Sequence, residues 1–368
     1  MDFPQKDYHL IKQNALHGRY ITRGHISSIL DGLSEKFVVE NIGQSVNRLP
    51  IESVTFGKGS KKILMWSQMH GNESTTTKAV FDFFNFMDSG VELSNSILKN
   101  CTIKIIPILN PDGAKAYTRV NANGVDLNRD ARIRSQPESN VLRECFESFE
   151  PNYCFNLHDQ RTIFNVMGTT KPATVSFLAP SFNKERGISK SRATSMHLIV
   201  AMNKRLQKMI PGQVGRYDDS FNENCIGDTF QMLDVPTVLF EAGHYPEDYM
   251  RENTREYIFQ ALVVAMGTIV GNKIGDYAKK EYFDIPENAK LFYDVLIQNA
   301  HLINSEKYRA NDIVAILFKE VLEGNNICFK PEIKKVGSLL DFYGHQKYDC
   351  SKMEDLELIK KQSFWEVL

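Results

Sequence analysis

His70-Gly71-Asn72-Glu73 sets an imidazole and a carboxylate close enough in the chain for both to face one ion. A histidine nitrogen and a glutamate oxygen are ligands that tetrahedral zinc accepts, and a catalytic zinc site needs a third protein ligand from elsewhere. Read alone, the tetrapeptide is also an ordinary surface turn, because His-x-x-Glu is short and common. Three further chemical groups stand in comparable places. Asn110, His158 and Glu241 each follow an apolar run: Ile103 to Leu109, Tyr153 to Leu157 and Thr237 to Phe240.

These runs read as strands, as does Ile63 to Ser67 ahead of His70. Behind the tetrapeptide, Ala79, Val80, Phe83, Phe84 and Met87 fall at helical spacing, so His70 and Glu73 are expected in a strand-to-helix turn. In open α/β sheets that turn, at the carboxyl end of a strand, is where ligands bind. If the strands run parallel, His70, Asn110, His158 and Glu241 emerge at one edge of the sheet. Ile26, Ile29, Leu30, Leu33 and Phe37 predict an earlier helix, with Phe37 to Val39 and Ile51 to Phe56 as strands. Asn110-Pro111-Asp112-Gly113 is a turn sequence, and Arg119 to Arg134 is a loop rich in Asn, Asp and Arg. Val141 to Phe149 and Ser191 to Met209 read as helices.

Beyond Gly275 the character changes. Leu291, Phe292, Val295, Leu296 and Ile303 predict an amphipathic helix entered through Pro286, and Ile313 to Leu322 a second one ended by Gly324. The expected architecture is α/β: a mixed, largely parallel central sheet flanked by helices over residues 1–275, and a mostly helical C-terminal appendage over residues 276–368.

The chain has 368 residues, enough for one large domain and an appendage. A net charge of -1 leaves no electrostatic footprint for nucleic acid. The longest apolar stretch, Ala261 to Val270, falls far short of the roughly 20 residues that span a bilayer, and reads as a buried helix. No membrane partner is expected. Cys101, Cys145, Cys154, Cys225, Cys328 and Cys350 are scattered without a Cys-x-x-Cys pair, which argues against a zinc ribbon or disulfide framework and fits the reduced thiols of a cytoplasm. Met1 to Lys12 carries Asp2, Lys6, Asp7 and Lys12 and is not a secretory signal as written. A cytoplasmic location is the expectation.

With His70 and Glu73, Asn110-Pro111-Asp112-Gly113, Arg119, Gly124-Val125-Asp126-Leu127-Asn128-Arg129, His158 and Glu241 in this order, the chain resembles the carboxypeptidase A-like zinc metallocarboxypeptidases. The resemblance covers roughly Tyr20 to Val270. It implies that His70, Glu73 and His158 ligate one zinc per chain, with an open position for water. It implies that Asn128 and Arg129 grip a substrate C-terminal carboxylate, that Arg119 polarises the scissile carbonyl, and that Glu241 is the general base. Tyr217 is the nearest match to the tyrosine of a mobile loop that covers the substrate in the family. The activity implied is removal of a C-terminal amino acid from a small peptide. Family side-chain specificity is set by the stretch that here runs from Asn224 to Asp228. Ile226 would give it an apolar floor, whereas Asp228 would favour a basic terminal residue.

Elementary chemistry agrees with these roles. A terminal carboxylate is best held by the planar fork of arginine, and a developing oxyanion needs a fixed positive charge such as Arg119 offers. Glu241 is the one carboxylate that follows such a strand run, where it can take a proton from water and pass it to a leaving amine. A lone histidine such as His158 is more often structural; beside His70 and Glu73 the ligand reading prevails. Arg132 and Arg134 read as a solvated face, His244 as a turn residue, and Asp159 and Arg161 as groups supporting the ligands or facing the substrate.

His-Gly-Asn-Glu also resembles the related zinc deacylases of the aspartoacylase and succinylglutamate desuccinylase group, whose small β domain differs from the helical tail expected here. Deacylation of N-acyl amino acids, or amide hydrolysis in a cell-wall-type peptide, is therefore the alternative. A catalytically silent binding protein on the same scaffold would be expected to lack a ligand or the base, and neither is missing. The apolar faces of the tail's helices leave packing on the catalytic domain or on another subunit open.

Overall fold

The computed structural model describes residues 3–368; Met1 and Asp2, which open the charged N-terminal stretch, lie outside the described residues. Fourteen strands follow one another along the described chain: β1 Phe37–Gln44, β2 Pro50–Gly57, β3 Lys61–Ser67, β4 Cys101–Ile106, β5 Tyr153–Asp159, β6 Asn165–Val166, β7 Val175–Leu178, β8 Val214–Arg216, β9 Thr237–Ala242, β10 Asn288–Ala289, β11 Phe292–Gln298, β12 Ile313–Glu323, β13 Asn326–Gly337 and β14 Tyr343–Asp349. The helices that cover them are α1 Arg23–Asp31, α2 Thr75–Asp88, α3 Glu92–Asn100, α4 Pro111–Ala116, α5 Pro137–Phe149, α6 Lys190–Leu206, α7 Ile226–Met232 and α8 Glu252–Val270.

Eight strands form the main sheet in the order β1-β2-β4-β3-β5-β9-β7-β8. Its middle, β4-β3-β5-β9, is parallel, while β1, β2 and β7 join antiparallel. The sheet is therefore mixed, with the parallel part at the centre. Alternation along β3 shows how it is buried on both faces. Ile63 and Met65 point into a core shared with α2, α6 and α8, whereas Leu64 and Trp66 meet Leu142 and Phe146 of α5 and Phe230 of α7. A strand covered on both sides reads as a near-continuous apolar run, as Ile63 to Trp66 does.

Helix α2 starts directly behind Glu73 and is buried along almost its whole length. Polar links fix it to α8: Asp82 pairs with Arg255 at 2.5 Å, and Lys78 with Glu252 at 2.6 Å. Burial is strong enough to push the Lys78 ammonium down to about 8 against the pull of Glu252. A helix held this firmly gives the residue at its start a fixed position.

The tail departs from the helical expectation. Leu291 to Ile303 and Ile313 to Leu322 hold strands β11 and β12, which join β13 and β14 in a four-stranded sheet of order β13-β12-β11-β14. The misreading has a physical cause. Val295 and Ile297 pack on one face of this sheet and Leu296 on the other, so β11 is apolar at successive positions and satisfies a helical template as readily as a strand. The two α-helical segments of the described tail are short, Lys279–Phe283 and Met353–Ile359. The tail sheet sits against the main body: β10 pairs with β6, and His345 of β14 bonds its Nε2 to the Thr162 carbonyl at 2.8 Å.

Candidate metal centre

The central parallel strands deliver their chemistry to one edge. His70 lies just past β3, Asn110 past β4, and His158 and Glu241 near the ends of β5 and β9, where they are register partners. The turn after β3 is held by the turn after β4. The Asn110 amide donates to the Met69 carbonyl at 3.2 Å while its oxygen accepts from the Gly113 amide at 2.8 Å. Here glycine is obligatory: a Cβ on Gly71 would lie 1.9 Å from the Gly113 carbonyl carbon. The Asn-Pro-Asp-Gly turn is thus the brace for the His-Gly-Asn-Glu loop.

His70, Glu73 and His158 converge, one potential ligand atom from each lying within 4.8 Å of the others. His70 Nδ1 is 2.8 Å from Glu73 Oε1, His158 Nδ1 is 2.8 Å from Glu73 Oε2, and the two ring nitrogens are 3.1 Å apart. Two nitrogens on one tetrahedral zinc, each about 2.1 Å from it, would stand about 3.4 Å apart, so the spacing suits such an ion. The donor chemistry suits it too. Asp126 Oδ1 faces His70 Nε2 at 3.0 Å, which places the ring proton there and turns the Nδ1 lone pair inward. The sequence reading gave Asp126 no role, although it stands two residues ahead of Asn128 in the same motif.

Electrostatics in this cluster follow from burial and pairing. Burial works against the charged form of His70, but the charge of Glu73 and the hydrogen bonds that the ring donates to Asp126 and Glu73 raise its pKa overall. Burial of His158 wins and lowers its pKa. Burial would raise Glu73, yet the two histidines hold its carboxyl well below the usual range, and His70 with Arg119 does the same for Asp126. Glu241 goes the other way: burial, then the charges of Glu73 and Asp159, raise it, while Arg119 opposes. Its carboxylate has no hydrogen-bond partner among the described residues, so it stays available to a substrate or water. We expect Asp126→Asn, which keeps an acceptor but loses the charge, to weaken zinc affinity about 10- to 100-fold in a competition titration with a chelator.

The remaining expected site residues divide. Arg119 reaches the centre, its Nε 3.1 Å from Asp126 and its Nη1 3.3 Å from Glu73. Asn128 is buried, its oxygen accepting from the Ile226 amide at 3.2 Å, and Arg129 is exposed beside it with Nη1 on the Asn128 carbonyl at 2.8 Å. Tyr217 packs its ring on Phe164 at 5.3 Å, and burial with the charges of Glu241 and Glu73 raises its phenol strongly. Asp228 is buried, which pushes its carboxyl up to about 7, so it is a poor fixed charge for selecting a basic residue. Asp159 caps α2, accepting from the Thr75 amide at 2.9 Å and the Thr76 amide at 3.3 Å, and its own amide donates to Glu73 Oε2 at 3.1 Å. It steadies the Glu73 carboxylate beside the two histidines. Arg132 pairs with Glu223 on the surface. His244 is buried against Tyr249 and His345, outside the cluster of three.

Comparison with known proteins points the same way. The zinc carboxypeptidase family model matches residues 26–179, which include His70, Glu73, Arg119, Asn128, Arg129 and His158. Carboxypeptidase E of Caenorhabditis elegans is 27% identical over 146 residues, covering 32% of this chain and 31% of that protein. Gamma-D-glutamyl-L-diamino acid endopeptidase 1 of Lysinibacillus sphaericus is 33% identical over 82 residues, 20% of each chain. The chain thus spans about a third or less of the length of these curated relatives. A metallo-carboxypeptidase from Burkholderia cenocepacia shares the fold, with a TM-score of 0.55 at 16% identity over 68% of this chain and 70% of that one. Over the stretch that carries all three ligand candidates and the Asn128-Arg129 pair, the chain is similar to the zinc carboxypeptidase family.

Proposed function

We propose that the protein is a zinc-dependent hydrolase that removes a C-terminal amino acid from a small peptide. The observation that carries this reading is the convergence of His70, Glu73 and His158 with Glu241 one strand away in register. A bound zinc, one per chain, supplies Lewis acidity to the scissile carbonyl and to the attacking water. His70, Glu73 and His158 hold it, with Asp126 fixing the His70 tautomer. Asn128 and Arg129 take the terminal carboxylate, Arg119 steadies the charge developing on the carbonyl oxygen, and Tyr217 closes over the substrate. Glu241 accepts a proton from the water and returns it to the leaving amine.

The decisive comparison is between free and amidated peptides. Losing a charge-assisted contact of this kind costs about 1.5 to 3 kcal/mol, about one to two orders of magnitude in affinity. Amidation should therefore raise KM by that factor, and equal hydrolysis of both forms would remove the clamp role of Arg129.

A second reading, deacylation of an N-acyl amino acid or of a cell-wall-type amide, gains support from the tail. The small β domain of that group contrasts with a helical tail but not with the four-stranded sheet that the tail holds. One relative is itself named for a γ-glutamyl amide bond. Side-by-side hydrolysis of dipeptides and N-acyl amino acids separates the two.

A further inference from the structure

Resting on the hydrolase reading, we propose that the cleft between the metal centre and the β12–β13 hairpin receives an anionic acyl group, with Arg161 as its recognition residue. The cleft holds about 520 Å³ and runs from Asn72 and Glu73 to Lys319 and Lys334 of the hairpin. Asn128, Arg129 and Glu241 do not line it. With the leaving amino acid on the Asn128-Arg129 clamp, the part of the substrate on the other side of the scissile bond enters this cleft. The tail sheet thereby forms a wall of the substrate site.

Arg161 is exposed at the cleft and has no hydrogen-bond or ion-pair partner among the described residues. Its backbone is fixed on both sides. The Gln160 carbonyl accepts from Arg251 Nη2 at 3.0 Å, and the Thr162 carbonyl from His345 Nε2 at 2.8 Å. A rigid backbone under the guanidinium confines the ordering cost of binding a carboxylate to the Arg161 side chain, whose planar fork matches that group. Opposite, Lys319 and Lys334 share the single carboxylate of Glu332. The other acids of the cleft are committed. Glu320 pairs with Arg19 at 3.1 Å, and Asp294 accepts from the Tyr249 hydroxyl at 3.0 Å and the Phe318 amide at 2.7 Å. Asp159 caps α2 and Glu73 belongs to the metal centre. The exposed charges of the cleft are the cations Arg161, Lys319 and Lys334, while its acids are at least partly buried, so the acyl group it selects carries a carboxylate.

The test uses two acyl chains of equal length that differ in one terminal carboxylate: N-glutaryl and N-pentanoyl derivatives of phenylalanine and of lysine. Binding is measured by calorimetry on zinc-loaded Glu241→Gln protein, and kcat/KM on the zinc-loaded wild type. The glutaryl compounds should be favoured about three- to tenfold, in Kd and KM and not in kcat, and the preference should shrink in high salt. Arg161→Ala should bring the ratio near one and Arg161→Glu should invert it; because a ratio is read, a uniform loss of activity cancels. A wild-type ratio of one, a ratio unmoved by Arg161→Glu, or no binding of either compound overturns the proposal. Preferential binding without turnover of any of them supports the cleft assignment while removing the hydrolase reading. Turnover without preference does the reverse.

Discussion

Glu241→Gln should leave one zinc per chain and an unchanged thermal midpoint while kcat falls by about 10²- to 10⁴-fold, the usual worth of a positioned general base. The glutamine keeps the shape and one acceptor oxygen but cannot take a proton from water at neutral pH. Its neighbours should tolerate the change, since the Glu241 carboxylate makes no hydrogen bond among the described residues whose loss would strand a partner. On the proposed roles, binding rests on Arg129 and the metal, so KM should change little and the loss should appear in kcat. A glutamate that merely ends a strand predicts the opposite pattern, altered stability with activity preserved. Near-normal turnover with full metal would move the base elsewhere, and Asp159 is a poor successor because its oxygens are occupied by the Thr75 and Thr76 amides.

Much of this site was readable before the fold, for a definite reason. Parallel strands buried on both faces leave unbroken apolar runs, and the polar residue that ends each run marks the sheet edge; His158 and Glu241 were visible that way. Asn110 was visible as a turn residue at the sheet edge but not as a brace, because its partner, the Met69 carbonyl, is a backbone atom brought close by β3 and β4. Asp126 was hidden by company: between Gly124 and Arg129 it read as part of a motif, and its bond to His70 spans 56 positions. The tail was misread because β11 is apolar on both faces, and with the sheet went the cleft wall. Lys319 and Lys334 face the metal side only because β12 and β13 form a hairpin, a pairing that no local periodicity encodes.

His158→Ala should abolish metal binding, with zinc content falling from about one per chain to near zero and turnover with it. The loss should exceed the 10- to 100-fold in affinity that outer partners such as Asp126 are typically worth, because a ligand itself is removed and His70 with Glu73 alone cannot complete a tetrahedral donor set. Thermal denaturation gives an independent reading. A ligand that binds only the native state stabilises it by mass action, so chelation should lower the wild-type midpoint and added zinc restore it, whereas neither should move the midpoint of His158→Ala. His244→Ala is the matched control. That ring lies three positions beyond Glu241, buried against Tyr249 and His345 and outside the converging trio, so its loss should cost stability but retain zinc. If His158 were only a buried structural histidine the two variants would behave alike, both less stable and both metal-bound, and a zinc-replete, fully active His158→Ala would place the third ligand outside β5.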